Sequence, residues 1–287
     1  MARLLLIRPP SVFSAASASA PVTMPLSIAY LAASLLAAGH EVRCVDALGE
    51  GIDRMGVSYA PHIRYRGLPI PEIVARAGDG EPPDAIGVTT MFSQDWPHVE
   101  DMIRALRARF PRTPVIIGGE HATACADYVL RECPEVDYVA AGEGEGLIVE
   151  FAEFLDGRRE LASIAGLHYR GLGPDPVANP ERARLRTPDD LPWPAWDLFD
   201  LEPYFRVGEG HGVERGRSMP LVATRGCPYQ CTFCSSPLMW TTRYVMRDVS
   251  KLADEIEHGM KAYRADNVDF YDLTAIVKKD WILAFCR

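Results

Sequence analysis

The chain has 287 residues and a formal net charge of -9, with 48% hydrophobic and 24% charged residues. This composition is ordinary for a folded globular protein, and the length favours two domains. The negative charge, with no compensating basic run, argues against a nucleic-acid partner. The sequence contains no stretch of about eighteen uninterrupted apolar residues, so no membrane span is expected. The odd count of 7 cysteines and the lack of a signal-peptide pattern favour a reducing, cytoplasmic location.

The first half of the chain alternates short apolar runs with helical patterns. Residues 3–7 form a continuous apolar run of strand length, and a helix begins at Pro25 and ends near Gly39. This alternation predicts an α/β fold with a doubly wound, Rossmann-like parallel sheet. Residues 11–20 are expected to form a loop, and His40 is expected at the surface. Further strands are predicted at 41–46, 84–90, 115–117 and 137–141, with helices at about 95–110 and 145–155.

Small residues follow several of these strands, at the edge where such sheets bind ligands. The strand ends carry Thr89-Thr90, then Gly118-Gly119-Glu120-His121, then Gly142-Glu143-Gly144-Glu145. Small side chains let a bulky ligand approach the backbone, which indicates a nucleotide-like ligand; alternatively, the glycines only make tight turns. No Gly-x-Gly-x-x-Gly follows the first strand, and the two carboxylates of the last segment would repel a pyrophosphate, so a dinucleotide site is not expected.

Three cysteines lie within eight residues, at Cys227, Cys231 and Cys234, with the spacing Cys-x3-Cys-x2-Cys. Three thiolates on a tight loop can hold three irons of a cubane cluster and leave the fourth iron open. A disulfide needs an even number of cysteines, and a closed zinc site needs four ligands. Three buried cysteines, or part of a zinc site with a distant fourth ligand, remain as alternatives.

The cysteine loop, with Phe233 directly before the last cysteine, resembles the cluster loop of the radical S-adenosylmethionine (SAM) enzymes. The resemblance implies a 4Fe–4S cluster on the three cysteines, with SAM chelating the open iron. One electron, from a donor of the flavodoxin or ferredoxin type, would then cleave SAM to methionine and a 5′-deoxyadenosyl radical. Asp272 and Thr274 could also be ordinary loop residues. The SAM contacts that we predict are Tyr229, Phe233, Asp272 and Thr274.

The segments Ser27–Ala33, Gly39–Val42, Ile117–Thr123 and Gly142–Glu145 resemble the cobalamin-binding domain of cobalamin-dependent radical SAM enzymes. The similarity covers most of residues 1–155 and implies that the corrin lies over the strand ends. The Asp-x-His-x-x-Gly motif that supplies a cobalt-ligating histidine in methionine synthase and the mutases is absent, so no histidine is expected on the lower face of cobalt. His121 could instead be a solvated loop residue. The implied cobalamin contacts are Thr89, Thr90, Gly118, Gly119, His121, Gly142 and Gly144.

These patterns predict three regions. Residues 1–155 form a cobalamin-binding domain, 156–215 a linker with short strands and a Pro/Trp-rich segment that packs on both neighbours, and 216–287 the start of a radical SAM partial (β/α) barrel. A complete partial barrel would need on the order of 120 more residues, at roughly 30 per strand–helix unit. We therefore expect a truncated form of a longer protein.

The resemblance as a whole implies a cobalamin- and 4Fe–4S-dependent radical SAM enzyme with a small-molecule substrate. Methyl transfer to an unactivated carbon is the first hypothesis. The second is an oxidative, ring-forming cyclase, because the anaerobic magnesium-protoporphyrin IX monomethyl ester cyclase group is broadly similar. The third is an inactive, truncated cofactor-binding module. The sequence predicts neither the substrate nor the catalytic residues.

Overall fold

A computed structural model describes residues 1–18, 20, 22–173, 175–210 and 216–287. Short parallel strands dominate the first half of the chain, and strand pairs from distant segments complete the rest. The strands are β1 (Arg3–Arg8), β2 (Ser11–Ser14), β3 (Glu41–Asp46), β4 (Met55–Val57), β5 (Ile63–Arg66), β6 (Ala85–Thr89), β7 (Val115–Gly118), β8 (Tyr138–Ala140), β9 (Leu167–Arg170), β10 (Pro176–Ala178), β11 (Ser218–Leu221), β12 (Thr224–Arg225), β13 (Val245–Met246) and β14 (Asn267–Phe270).

Helices follow most of the parallel strands, as the alternating sequence pattern predicts. No helix in these described ranges is long and apolar enough to cross a membrane. The helices are α1 (Leu26–Ala37), α2 (Ala47–Glu50), α3 (Ile70–Ala77), α4 (Trp96–Arg109), α5 (Glu120–Ala124), α6 (Ala126–Glu132), α7 (Gly144–Leu155), α8 (Glu202–Val207), α9 (Ser236–Trp240), α10 (Val249–Tyr263) and α11 (Lys279–Phe285).

The main sheet has the strand order β10-β9-β8-β7-β6-β1-β3. Strands β3, β1, β6, β7 and β8 pair in parallel, and β9 and β10 extend the sheet in antiparallel pairing. Numbered by their position in the chain, the five parallel strands lie in the order 2-1-3-4-5 across the sheet, which is the flavodoxin-like, doubly wound order. The predicted fold class is confirmed. In this topology the ligand crevice falls between β1 and β6, where the strand order reverses.

Two apolar layers enclose the sheet because successive side chains of a strand point to opposite faces. Leu5 and Ile7 face α3, α4 and α6, whereas Leu4 and Leu6 face α1 and α7. Phe151 of α7 is completely buried in the second layer. Burial on both faces explains why these strands are continuous apolar runs.

The cysteine-loop region, residues 216–287, continues with the strand–loop–helix–strand–helix order that we predict for the start of a partial barrel. Strand β11 pairs in parallel with β14, and β12 pairs with β13. Helix α10 begins where Asp248 accepts hydrogen bonds from the backbone amides of Ser250 and Lys251, at 2.8 and 3.3 Å. These contacts satisfy amide groups that a helix start otherwise leaves unpaired.

Two expectations were wrong. Ser11–Ser14 is not loop but strand β2, which pairs with β5 in a small antiparallel sheet. Its partner lies about 50 residues away, so no local pattern indicates the pairing. His40 is buried rather than at the surface. Its Nδ1 accepts a hydrogen bond from the backbone amide of Ala2 at 3.2 Å, which fixes the ring next to the start of β1.

The Pro/Trp-rich segment packs on both neighbouring regions, as expected. Trp196 is buried in one apolar cluster with Tyr30 of α1 and Met219 of β11, whereas Trp193 is 40% exposed. The boundaries proposed after residues 155 and 215 stay predictions.

Candidate cofactor site

A cavity of about 1210 Å³ lies at the carboxyl ends of β1, β6, β7 and β8. Pockets for drug-sized ligands occupy about 300–1000 Å³, so this cavity suits a larger molecule. One wall comes from the strand ends of the main sheet. The opposite wall comes from the cysteine-loop region and includes Thr224, Arg225, Gly226, Trp240 and Asp272. The cavity therefore lies between the two regions in which the sequence predicts cofactors.

Most of the predicted cobalamin contacts line this cavity: Thr89, Thr90, Gly118, Gly119, Gly142 and Gly144. Gly119 has a φ of 115°, and a Cβ there would lie 2.5 Å from the carbonyl oxygen of Thr90. Gly142 has a φ of 85° and faces open space. The positive φ favours glycine at both turns; at Gly119 a side chain would also clash with the backbone, whereas Gly142 leaves room for a ligand. The glycines serve tight turns and also form a cavity wall.

His121 lies behind the cavity wall rather than on it. The residue is 5% exposed, its Nδ1 is 2.9 Å from the Ser93 hydroxyl, and its ring centre is 5.1 Å from that of Trp96. The alternative of a solvated loop histidine is wrong. Burial lowers the pKa of His121, so the ring is neutral near pH 7. A contact between His121 and cobalamin stays a prediction.

Ion pairs that the sequence does not reveal connect the two walls of the cavity. Arg225, two residues before Cys227, lies 2.5 Å from Glu145 and 3.3 Å from Glu143. Burial alone would raise the pKa of Glu145, but the adjacent Arg225 guanidinium outweighs this effect and lowers it. Arg184 is 2.9 Å from the other oxygen of Glu143. The two carboxylates are therefore neutralised by arginines in this structure.

A second carboxylate, that of Asp95, lies on the β6 side of the crevice where the strand order reverses. Asp95 lines the cavity, and no partner in the described chain bonds to its buried Oδ1. Burial raises the pKa of Asp95 to about 7. On the β1 side, Arg8 lines the same cavity and donates a hydrogen bond to the Tyr204 hydroxyl at 2.9 Å. Two carboxylates at one cavity, Asp95 and Glu145, thus have pKa values shifted in opposite directions.

The cysteine loop begins at a second turn that requires glycine. Gly226 has a φ of 89°, and a Cβ there would lie 2.1 Å from the carbonyl oxygen of Arg243. Cys227 is half-buried, and its sulfur accepts a hydrogen bond from the Thr274 hydroxyl at 3.4 Å. Cys231 and Cys234 are exposed. In the described ranges no three His, Cys, Asp or Glu side chains are gathered as a metal site. Three thiols on one loop are the donors that an iron–sulfur cluster requires.

The predicted SAM contacts fall in two groups. Tyr229 and Phe233 are 60% and 91% exposed and do not line the cavity. Asp272 does line it, and its carboxylate accepts hydrogen bonds from the amide of Ala223 at 3.2 Å and from the amide and hydroxyl of Thr224. Burial raises the pKa of Asp272. Asp272 therefore holds the backbone that leads into the cysteine loop, and its contact with SAM stays a prediction.

Residues 15–152 match the family model described as "B12 binding domain". The chain is 28% identical to the "Uncharacterized methyltransferase PH0819" of Pyrococcus horikoshii, over 96% of this chain and 54% of that protein. It is 27% identical to the "Anaerobic magnesium-protoporphyrin IX monomethyl ester cyclase" of Rubrivivax gelatinosus, over 71% of this chain and 36% of that protein. The chain spans about half the length of the first of these relatives.

Among solved structures, the chain is similar to the "radical S-adenosylmethionine methyltransferase, TsrM" of Kitasatospora setae, solved with cobalamin and a [4Fe-4S] cluster bound. The TM-score is 0.69 at 19% sequence identity, over 94% of this chain and 47% of that chain. This likeness shows a shared fold. The chain thus combines a match to a B12-binding domain with a likeness to cobalamin-dependent radical SAM enzymes.

Proposed function

We propose that the whole protein is a cobalamin- and 4Fe–4S-dependent radical SAM enzyme that transfers a methyl group to an unactivated carbon of a small molecule. One observation carries this proposal. A single cavity is lined on one side by the strand ends of the B12-binding domain and on the other by residues that flank the cysteine loop. A relative named as a methyltransferase supports the choice of reaction.

The residues of this chain would hold the cofactors and exclude water. Cys227, Cys231 and Cys234 would bind the cluster, and the strand-end residues from Thr89 to Gly144 that line the cavity would contact the corrin. When bound, these cofactors supply a radical that removes a hydrogen atom and a methyl group that replaces it. The reducing electron would come from a donor of the flavodoxin or ferredoxin type.

Anaerobic reconstitution tests the proposal. The protein, supplied with iron, sulfide, cobalamin, SAM and a reductant, should show iron–sulfur absorption and form 5′-deoxyadenosine. Cys231→Ala should abolish both signals because it removes one of three cluster ligands. Cys286→Ala is the matched control, since this exposed thiol lies outside the loop, and it should retain both. Absence of iron–sulfur absorption would favour a zinc site, and iron–sulfur absorption that survives Cys231→Ala would remove this cysteine from the cluster; either result contradicts the proposal.

The product pattern separates methyl transfer from the alternatives. Methyl transfer should yield S-adenosylhomocysteine together with 5′-deoxyadenosine, because one SAM donates the methyl group and another the radical. An oxidative ring-forming cyclase, which the Rubrivivax relative favours, should yield 5′-deoxyadenosine without S-adenosylhomocysteine. Bound cluster and cobalamin with neither product would indicate a cofactor-binding module.

A further inference from the structure

Carboxylates of the main-sheet region bind the cysteine loop at both of its ends. Before the loop, Arg225 lies between Glu143 and Glu145, which occupy the turn from β8 into α7. All three side chains are buried. Glu145 also lies in the first turn of α7, where the helix dipole favours a negative charge. The segment that enters the loop is therefore fixed to the carboxyl end of β8.

After the loop, Glu120 makes the corresponding contact from the carboxyl end of β7. Its Oε2 accepts a hydrogen bond from the hydroxyl of Ser235 at 3.1 Å, and its Oε1 accepts one from Trp240 Nε1 at 3.0 Å. Ser235 directly follows Cys234, and Trp240 ends helix α9. The segment that leaves the loop is therefore fixed to the strand next to β8.

Trp240 connects the two contacts. The guanidinium groups of Arg184 and Arg225 lie 5.1 and 6.0 Å from the centre of its ring, within the range of cation–π attraction. The indole also lines the cavity, whereas Glu120 does not. A ligand that fills the cavity would contact Trp240, which donates a hydrogen bond to Glu120 and lies against Arg225. A bound ligand can therefore affect the position of both ends of the cysteine loop.

We propose that Glu120 and Glu145 are positioning residues that hold the two ends of the cysteine loop against the strand ends, so that cobalamin in the cavity stabilises the cluster. The inference rests on the cofactors of the proposed function but not on its reaction. Neither glutamate touches the cluster; each acts through the loop. Because binding coupling is reciprocal, the cluster should also strengthen cobalamin binding by the same factor.

The experiment measures the loss of iron from reconstituted protein to a chelator, with and without bound hydroxocobalamin. For the unmodified protein, cobalamin should slow this loss by about fivefold or more, the usual lower range of coupling between sites. Glu120→Ala should reduce that ratio toward one, since it removes both acceptors after the loop while the Glu145 contact before the loop remains. Cobalamin affinity, measured by absorbance titration of the cluster-free protein, should stay unchanged, because Glu120 does not line the cavity.

Two further variants test the inference in case Glu120→Ala fails to fold. Ser235→Ala removes one of the two hydrogen bonds to Glu120 and should give an intermediate ratio. Glu153→Ala is the matched control, because Glu153 is a partly exposed glutamate of the same domain whose ion pair with Arg159 is local. It should retain the ratio of the unmodified protein.

Two results would overturn the inference, and they have different consequences. If cobalamin and cluster both bind but the iron-loss ratio is already about one, or survives in Glu120→Ala, the positioning role is wrong while the proposed function stands. If the protein binds no cobalamin or no cluster, the proposed function fails with it.

Discussion

The main-sheet region and the cysteine-loop region are stabilised in different ways. In the first, two apolar layers cover both faces of the sheet, and side chains such as Phe151 are completely buried. In the second, the region's own buried cluster has three members, Leu221, Ala223 and Leu252, while Met219 and Ala265 are buried in a cluster shared with Tyr30 of α1 and Trp196. Phe233 there is 91% exposed. Apolar burial therefore stabilises the cysteine-loop region much less than the main sheet.

The cysteine-loop region instead depends on buried charges that it shares with its neighbours. Arg225 binds Glu145 of α7, and Arg247 lies 2.8 Å from Asp189 in the Pro/Trp-rich segment and 2.5 Å from Glu255 of α10. Buried ion pairs contribute little net stability compared with apolar contacts, but breaking one leaves an uncompensated charge. The main sheet is thus stabilised by burial, and the cysteine loop is positioned by charge.

The largest expected effect tests the apolar half of this comparison. Phe151→Ala should lower the free energy of unfolding by about 4 kcal/mol, because it leaves a large cavity in a core that cannot collapse. Phe285→Ala, in the half-buried apolar cluster of the cysteine-loop region, should cost only about 1 kcal/mol. Denaturant unfolding followed by far-ultraviolet circular dichroism gives both values. Equal losses of unfolding free energy in the two variants would show that the apolar clusters of the two regions contribute equally to stability, and would contradict the comparison.

A somewhat smaller effect tests the charged half. Arg225→Met should destabilise the cysteine-loop region by about 3 kcal/mol, since Glu145 would remain buried without its partner. Hydrogen exchange in residues 216–287 should rise, while exchange in the main sheet stays slow. Adding Glu145→Gln to this variant should recover part of the loss. Unchanged exchange in 216–287, or a double variant less stable than the single one, would contradict the role given to this pair.

The sequence predicts features whose cause is local. Strands β1 and β6 are short, continuous apolar runs, and the spacing of Cys227, Cys231 and Cys234 lies within one loop. The alternation of strands and helices therefore sufficed to predict the sheet. The strand-end positions followed because parallel strands bring their carboxyl ends to one edge.

The sequence does not reveal features that need contacts between distant segments. Arg225 and Glu145 are 80 residues apart, and Glu120 and Trp240 are 120 residues apart. No helical or strand period relates such pairs, and one glutamate at a strand end resembles any solvated glutamate. The only available signal was the unusual presence of two carboxylates in Gly142-Glu143-Gly144-Glu145, which the absence of a pyrophosphate site left unexplained.

The smallest expected effect concerns the two carboxylates at the cavity. Arg225 keeps Glu145 ionised, but the pKa of Asp95 is raised by burial from 3.8 to about 7. The folded protein therefore binds the Asp95 proton more tightly than the unfolded chain does. It follows that the free energy of unfolding falls as the pH rises from about 4 to about 7, and the full loss is present above that range.

Asp95→Asn should remove this loss and make the protein more stable than the unmodified form at pH 8, by on the order of 2 kcal/mol. This value is well below the free energy that corresponds to the full pKa shift of Asp95, because the carboxyl lines an open cavity where water screens it. The gain should shrink toward pH 5, where the unmodified protein is already largely protonated at Asp95. Asp101→Asn, on the exposed face of helix α4, which directly follows Asp95, should change stability by no more than about 0.5 kcal/mol at either pH. A gain for Asp95→Asn that is equal at pH 5 and pH 8 would show that titration of this carboxyl is not its cause, and the contrast between the two cavity carboxylates would then be wrong.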